Sequence, residues 1–402
     1  MLCNRLQAIT MKELKLDELI KTLEPYKSSK IYKSVLSSYK EIYDSQNKIK
    51  LLQKKVAEER ENIFKTIKCD EDFFFNSNLF LPLKPIRKLF QKPNVHRGGY
   101  QAALQYLVDK KYISSGGIDF VPMVDPYFMW DQGTTLEKPW IGIAHLTSNC
   151  PTYLENCDIN KLFNNPHFQK SIKTCKGLVF LSQYMKDYAD KIIQQKFSIK
   201  MPTSFVKYPV GKDLLQFDLD YFLMKQNKKI IFIGSQMRRV SSLYFLKSPG
   251  YQKAWLSGKS NSDSALNLIK QEMNFLKKKP FQDFDPSCVD LLHTSNWNQY
   301  DKMITSNIIF IDFYDASANT AINELIISNT PAFIRRLPAT EEYLGKDYPM
   351  FFDNLAFVET VLSNPDYIID VYSRTYRYLQ NMDKSDLSHE HFGRSLLRLI
   401  ND

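Results

Sequence analysis

Phe310-Ile-Asp-Phe-Tyr-Asp-Ala-Ser-Ala-Asn-Thr-Ala-Ile-Asn-Glu-Leu-Ile-Ile-Ser-Asn-Thr-Pro-Ala-Phe-Ile334 reads as a strand, a small-residue turn, an amphipathic helix, a short turn and a second strand. Asp315 to Thr320 supply small side chains and free backbone N–H groups where the helix begins, and Asn319 or Thr320 is placed to cap it. A helix N-terminus opened by small residues is an anion site, because its orphan N–H groups and the helix dipole both favour phosphate. Ser317, Asn319 and Thr320 would present that phosphate cradle, and Glu324, one turn further on, would reach a sugar hydroxyl beside it. The arrangement points to a nucleotide-diphosphate site. Glu324 also reads as a residue that only complements the helix dipole.

A second strand of the same kind, Lys229 to Gly234, ends in glycine and runs into Ser235-Gln-Met-Arg-Arg-Val-Ser-Ser242. Open α/β sheets bind ligands in loops at the C-terminal ends of their strands. Arg238 and Arg239 would pair with diphosphate oxygens through the guanidinium fork; paired arginines on a loop also read as a surface patch. Neither GxGxxG nor a Walker motif occurs, so no dinucleotide or P-loop site is expected.

The stretch around Glu324, with its acidic residue, small-residue turn, helical glutamate and Asn329-Thr330-Pro331 turn, resembles the donor-binding segment of GT-B glycosyltransferases, in particular the family-4-like group with its viral and bacterial relatives. Arg335-Arg-Leu-Pro-Ala-Thr-Glu-Glu-Tyr-Leu-Gly-Lys-Asp-Tyr-Pro349 continues that resemblance. The chain departs from the group's commonest motif, two glutamates separated by seven residues: counting back from Glu324 lands on Ala316, and Asp315 stands one position further away. The resemblance implies two Rossmann-like domains facing across a cleft and a basic residue after the Lys229–Gly234 strand serving the diphosphate. It also implies a glycine-containing loop facing the bound sugars, final helices that cross back to the first domain, and transfer with retention.

With 402 residues the chain is long enough for two domains, each with a core of its own. Hydrophobic residues make up 44% and aromatic residues 13%, a globular composition. No apolar run is long enough for a transmembrane helix, and the first residues carry no signal-peptide core, so a cytoplasmic protein is expected. The six cysteines show no CxxC pair and read as reduced thiols, and the six histidines form no metal-ligand pattern. A net charge of +10 favours phosphate-bearing ligands, an anionic membrane surface or nucleic acid without choosing among them.

Alternating strand-like and helical runs argue for parallel sheets with covering helices. They are Ile118 to Val121, Trp140 to His145, Gly177 to Leu181 followed by a helix from Ser182 to Gln195, and Ser204 to Tyr208, then Lys228 to Gly234, Ile308 to Asp312 and Pro331 to Ile334. The expected division is a helical extension at 1–75, an acceptor domain at 76–215, a donor domain at 216–365 and C-terminal helices at 366–402. In the extension, Val35, Ile42, Ile49, Val56 and Ile63 recur at heptad spacing, but the partner positions Ser38, Ser45, Leu52, Glu59 and Thr66 make a poor seam. A helical pair, or self-association through these helices, is expected there. A linker rich in Phe, Pro and Lys is expected from Asp72 to Pro93.

In the first domain, Arg97, Gly98 and Gly99 are candidates for the acceptor side, although two adjacent glycines also read as a plain turn. His145 ends a strand and would touch the donor sugar or assist proton transfer; a lone histidine also reads as structural. Asp125, before Pro126, would serve as a base or as a turn cap. No DxD motif stands at a strand end, since Asp218-Leu-Asp220 lies in the interdomain stretch, so no metal or other cofactor is expected. The catalytic set is therefore His145, Asp125 and Glu324, and the nucleotide-sugar set Gly234, Arg238, Arg239, Ser317, Asn319, Thr320 and Glu324. The expected function is sugar transfer to a glycan, lipid-linked sugar, protein or modified DNA. A basic nucleic-acid-binding protein and a non-catalytic scaffold of the same fold are the alternatives.

Overall fold

Short, almost wholly apolar segments form the strands, because a parallel strand is covered on both faces and must be hydrophobic on both. In the computed structural model, which describes residues 86–89, 98–110, 118–131, 133–211, 213–257, 262–279, 282, 285–294 and 296–401, they build two sheets. The heptad segment and Arg97 lie outside the described residues. The first sheet comprises β1 (Ile86–Leu89), β2 (Ile118–Val121), β3 (Trp140–Ile143), β4 (Cys175–Phe180) and β5 (Thr203–Phe205). They lie side by side in chain order, all neighbours parallel. β3 shows the two-sided burial well: Trp140 packs with Phe128 and Phe168 on one face, while Ile141 and Ile143 join Phe120 and Val179 on the other.

β1 corrects the linker expected from Asp72 to Pro93. It pairs with β2, Ile86 opposite Ile118 and Leu89 opposite Phe120. An edge strand of four residues with Arg87 and Lys88 at its centre, close to Pro85 and Pro93, carries too little hydrophobic pattern to stand out.

The second sheet comprises β6 (Lys229–Ile233), β7 (Gln252–Leu256), β8 (Val289–Leu292), β9 (Ile308–Ile311), β10 (Ala332–Arg335) and β11 (Phe351–Phe352), in the order β11-β10-β9-β6-β7-β8 and parallel throughout. The chain moves outward from β6 to β8, returns to lay β9 on the other side of β6, and moves outward again. The order therefore reverses between β6 and β9, the place where an open α/β sheet leaves a crevice at its strand ends. The segments leaving that crevice are Gly234–Arg238 after β6 and Phe313–Thr320 after β9, joined by an isolated bridge between Arg238 and Phe313.

Both lobes belong to the single compact unit Pro82–Asp402. The helix Pro365–Asn381 stays with the second lobe, where Val371, Tyr372 and Leu379 enter its core and Tyr372 stacks on Phe222 at 4.4 Å. The helix His389–Asn401 instead closes the outer face of the first sheet through Phe392, Leu396 and Leu399. Leu399 sits where a Cβ on Gly177 would stand, 2.9 Å away, so that glycine is required by the close approach of the helix to β4.

Candidate functional site

The helix Thr320–Ile327 begins where the sequence places it, with the Asn319 side chain accepting from Ile322 N–H at 3.2 Å. That cap takes the third N–H, and the residues that open the helix, Asn319 and Thr320, line the crevice. Ser317, Asn319 and Thr320 line a cavity of about 460 Å³ between the lobes, together with Gly234 and Arg238 from the β6 side. Such a volume falls within the ~300–1,000 Å³ of small-molecule sites.

Arg238 is only 7% exposed. Its Nε donates to Ile233 O at 3.1 Å, its Nη1 donates to Gln236 O at 2.9 Å, and its guanidinium lies 4.2 Å from the centre of the Phe313 ring. Gly234, at φ 84°, lets the guanidinium pass close to the backbone, since a Cβ there would stand 3.3 Å from Nη2. Among the described residues no carboxylate forms an ion pair with Arg238, and burial pushes its guanidinium down to about 9. A buried cation held by carbonyls alone is costly, and a bound anion would relieve it. Arg239 does not line the cavity: it lies over Tyr314 at 5.2 Å, beside Glu272, a buried carboxylate raised by desolvation that accepts from Ser241 and Tyr314.

Glu324 is 3% exposed and is not a lining residue. Asp315 does line the cavity, but its oxygens accept from Ala316 N–H at 2.9 Å, Asn149 N–H at 3.1 Å and Tyr184 O–H at 3.3 Å. The last two donors belong to the first lobe, so Asp315 ties the lobes together. Burial raises its carboxyl above the ordinary value.

Asp125 lies within the helix Val124–Met129 and is 0% exposed, off the cavity surface. One of its oxygens accepts from the backbone N–H of His145 at 2.6 Å and stands 3.3 Å from His145 Nδ1. The ring's other nitrogen, Nε2, is 2.6 Å from the Tyr208 hydroxyl, which burial raises well above its usual range. Asp125 therefore reaches the cavity only through His145, which lines it. Tyr208 is expected from the sequence only as the end of an apolar run, because its distance from His145 along the chain hides their contact. Tyr208 O in turn accepts from Asn323 Nδ2 of the helix Thr320–Ile327 at 3.1 Å.

Gly98 and Gly99 press against Thr320: a Cβ on either would stand 3.2 to 3.3 Å from its side chain, and Gly99 takes φ 67°. The glycine loop thus touches the first residue of the helix Thr320–Ile327. Further ties cross between the lobes. Glu342 accepts from the N–H groups of Gln183 and Tyr184, both at 2.7 Å, capping the helix Gln183–Phe197, and Tyr343 donates to Leu181 O at 2.6 Å. Among the described residues no cluster of three metal-ligating side chains occurs, no helix is long and apolar enough to cross a membrane, and Cys150, Cys157, Cys175 and Cys288 are free thiols.

Two parallel Rossmann-like sheets facing across a cleft, with a helix N-terminus at the switch point of the second and a helix returned to the first, make this a GT-B fold. No protein-family model matches the chain, and no curated protein matches its sequence. Among solved structures, the chain is similar to TarM at 12% identity and a TM-score of 0.49, over 75% of this chain and 58% of TarM. It is similar to the UDP-forming α,α-trehalose-phosphate synthase from Burkholderia vietnamiensis at 10% identity and 0.44, over 75% and 80%. For sucrose-phosphate synthase from Thermosynechococcus elongatus the values are 9% and 0.47, over 75% and 77%. These likenesses are distant, and the fold rests on the strand orders of the chain itself.

Proposed function

We propose that this protein is a glycosyltransferase that moves a sugar from a nucleotide-diphosphate sugar to an acceptor hydroxyl. The observation that carries the reading is Arg238, a buried guanidinium with no carboxylate partner among the described residues, lining a cavity that the first residues of the helix Thr320–Ile327 also line. Cleaving the bond between the sugar C1 and the diphosphate leaves an electron pair on the phosphate oxygen. Arg238, the amides at Asn319 and Thr320 and the helix dipole meet that charge where it develops. They support transfer without a metal; loss of turnover in excess chelator, restored by manganese, would overturn that part.

The acceptor oxygen bonds to C1 and must shed its proton. Asp315 is the sole acidic lining residue among those described and its oxygens are occupied, while both nitrogens of His145 are held by Asp125 and Tyr208. The departing phosphate is the base that remains, on the same face as the attack, which supports retention. Anomeric configuration of the product, read by NMR, tests it.

Thermal stability measured with UDP, GDP, ADP and CMP, and with their common sugars, tests the donor site directly, since a ligand bound only by the folded state raises the melting temperature. Selective stabilisation by one nucleotide diphosphate, lost in Arg238→Ala, is expected; no shift with any of them would sink the reading. The position of Glu324 away from the cavity favours a second reading, a scaffold that binds the nucleotide and transfers nothing. Donor binding without donor hydrolysis or transfer would select it.

A further inference from the structure

The cavity has two unlike walls. The second-lobe wall is made largely of small residues, with Met237 and Phe313 among them, and carries both charges of the described lining, Arg238 and Asp315. The described first-lobe lining residues include no Lys, Arg, Asp or Glu, and the wall's bulk is aromatic: Tyr100, Tyr208 and Trp130. Trp130 is the unusual member. It is 46% exposed at the mouth, and among the described residues its indole has neither a hydrogen bond nor a ring neighbour.

The other tryptophans are accounted for. Trp140 and Trp255 are fully buried and donate their indole N–H groups to Ser171 O at 2.8 Å and Gly234 O at 2.7 Å. Trp297 packs edge-on against Tyr300. Only the backbone of Trp130 is fixed, its N–H donating to Pro126 O at 2.9 Å at the end of the helix that carries Asp125. A large apolar ring with a polar N–H, carried on a fixed backbone at a cavity wall and left without a partner among the described residues, is suited to contact something that arrives.

We infer that Trp130 is the platform for the acceptor, and that the acceptor group it takes is a neutral sugar ring. Resting on the transferase reading above, this names the acceptor class. A pyranose offers a face of C–H bonds to stack on an indole and hydroxyls at its rim. The exposed carboxylate-bearing Asp131, next in the chain, can accept from such hydroxyls. A phosphate-rich acceptor such as DNA would need cations on this wall, and the described part of it has none. Tyr100, half-buried and set edge-on to His145 at 6.5 Å, extends the aromatic surface inward toward the reacting centre.

Intrinsic fluorescence of the full chain, titrated with neutral mono- to trisaccharides of glucose, galactose, mannose and N-acetylglucosamine and with a short oligothymidylate, tests this. One sugar series should change the emission saturably. In Trp130→Ala its affinity should fall about tenfold, the scale of one lost ring contact. Trp130→Phe should restore part of it, and Trp297→Phe should leave it unchanged. The rise in melting temperature caused by the nucleotide diphosphate should survive in Trp130→Ala, which shows that the variant folds and separates acceptor from donor. Sugar binding with no nucleotide response would overturn the transferase reading and leave the platform standing. The platform itself falls if no sugar binds, if sugar binding is indifferent to Trp130, or if the nucleotide or oligothymidylate response is what Trp130→Ala removes.

Discussion

The two lobes share a layered architecture and differ in strand order. In the first sheet the described strands run β1 to β5 without reversal, whereas the second reverses between β6 and β9. The second lobe can therefore offer a ligand two strand-end loops and a helix N-terminus that diverge from one point, and its contribution is largely backbone. The first lobe has no such crevice among its described strands and contributes side chains instead: His145, Tyr208 and Trp130. In the proposed function one wall would recognise charge through topology, and the other would recognise shape through particular residues.

The sharpest way to break this comparison is Arg238→Met. Removing a buried cation that lacks a carboxylate should leave the melting temperature of the ligand-free protein unchanged or higher. Nucleotide-diphosphate affinity should fall about 100-fold or more, as when one partner of a desolvated charge pair is lost. A ligand-free protein that melts earlier yet still binds would show that Arg238 is structural.

On the opposite wall, Asp125→Ala strips two hydrogen-bonding contacts to a buried carboxylate and should cost about 2–3 kcal/mol of stability in chemical denaturation. It should also broaden or shift the ring resonances of His145, while nucleotide binding by the second lobe persists. Equal loss of nucleotide binding would mean that the two walls are not independent.

Glu342→Ala tests the seam between them. Losing the cap on the helix Gln183–Phe197 should cost about 1–2 kcal/mol, and calorimetry should show a broader transition as the lobes uncouple. An unchanged transition would place the coupling elsewhere.

The smallest effect concerns pH. Burial raises the Asp315 carboxyl, so its contribution to stability is fullest below the ordinary carboxyl value of 3.8 and is lost as pH rises through the raised value. Asp315→Asn should flatten that limb of the stability curve, and a curve of unchanged slope would exclude Asp315 as its source.

Much of the second lobe could be read from the chain. The apolar run of β9, the small residues after it and the Asn319 cap are local signals, and β6 with its terminal glycine is another. β7 and β8 escaped notice because Gln252, Lys253 and Asp290 interrupt their apolar pattern at exposed or half-exposed positions. In the first lobe β2 fell on the residues expected, since a short apolar run bounded by turn residues leaves little choice. The side-chain wall was less legible. Asp125 and His145 were singled out, but their pairing, the Tyr208 hydroxyl and the cap from Glu342 join residues far apart in the chain, and no spacing rule encodes such contacts. Trp130 stood in plain view beside Asp125; only its exposure at the cavity mouth distinguishes it from the buried Trp140.

The meeting of Leu399 with Gly177 bears on how this protein comes to be made. During synthesis the strands of the first lobe leave the ribosome early, yet the face they share with the helix Gly99–Asp109 stays incompletely covered until the chain has grown through the helix His389–Asn401. The second lobe closes on itself sooner, from residues that follow one another. The half that is translated first is thus the half that finishes folding last, and through that interval part of an apolar sheet is open to chaperones and to other nascent chains.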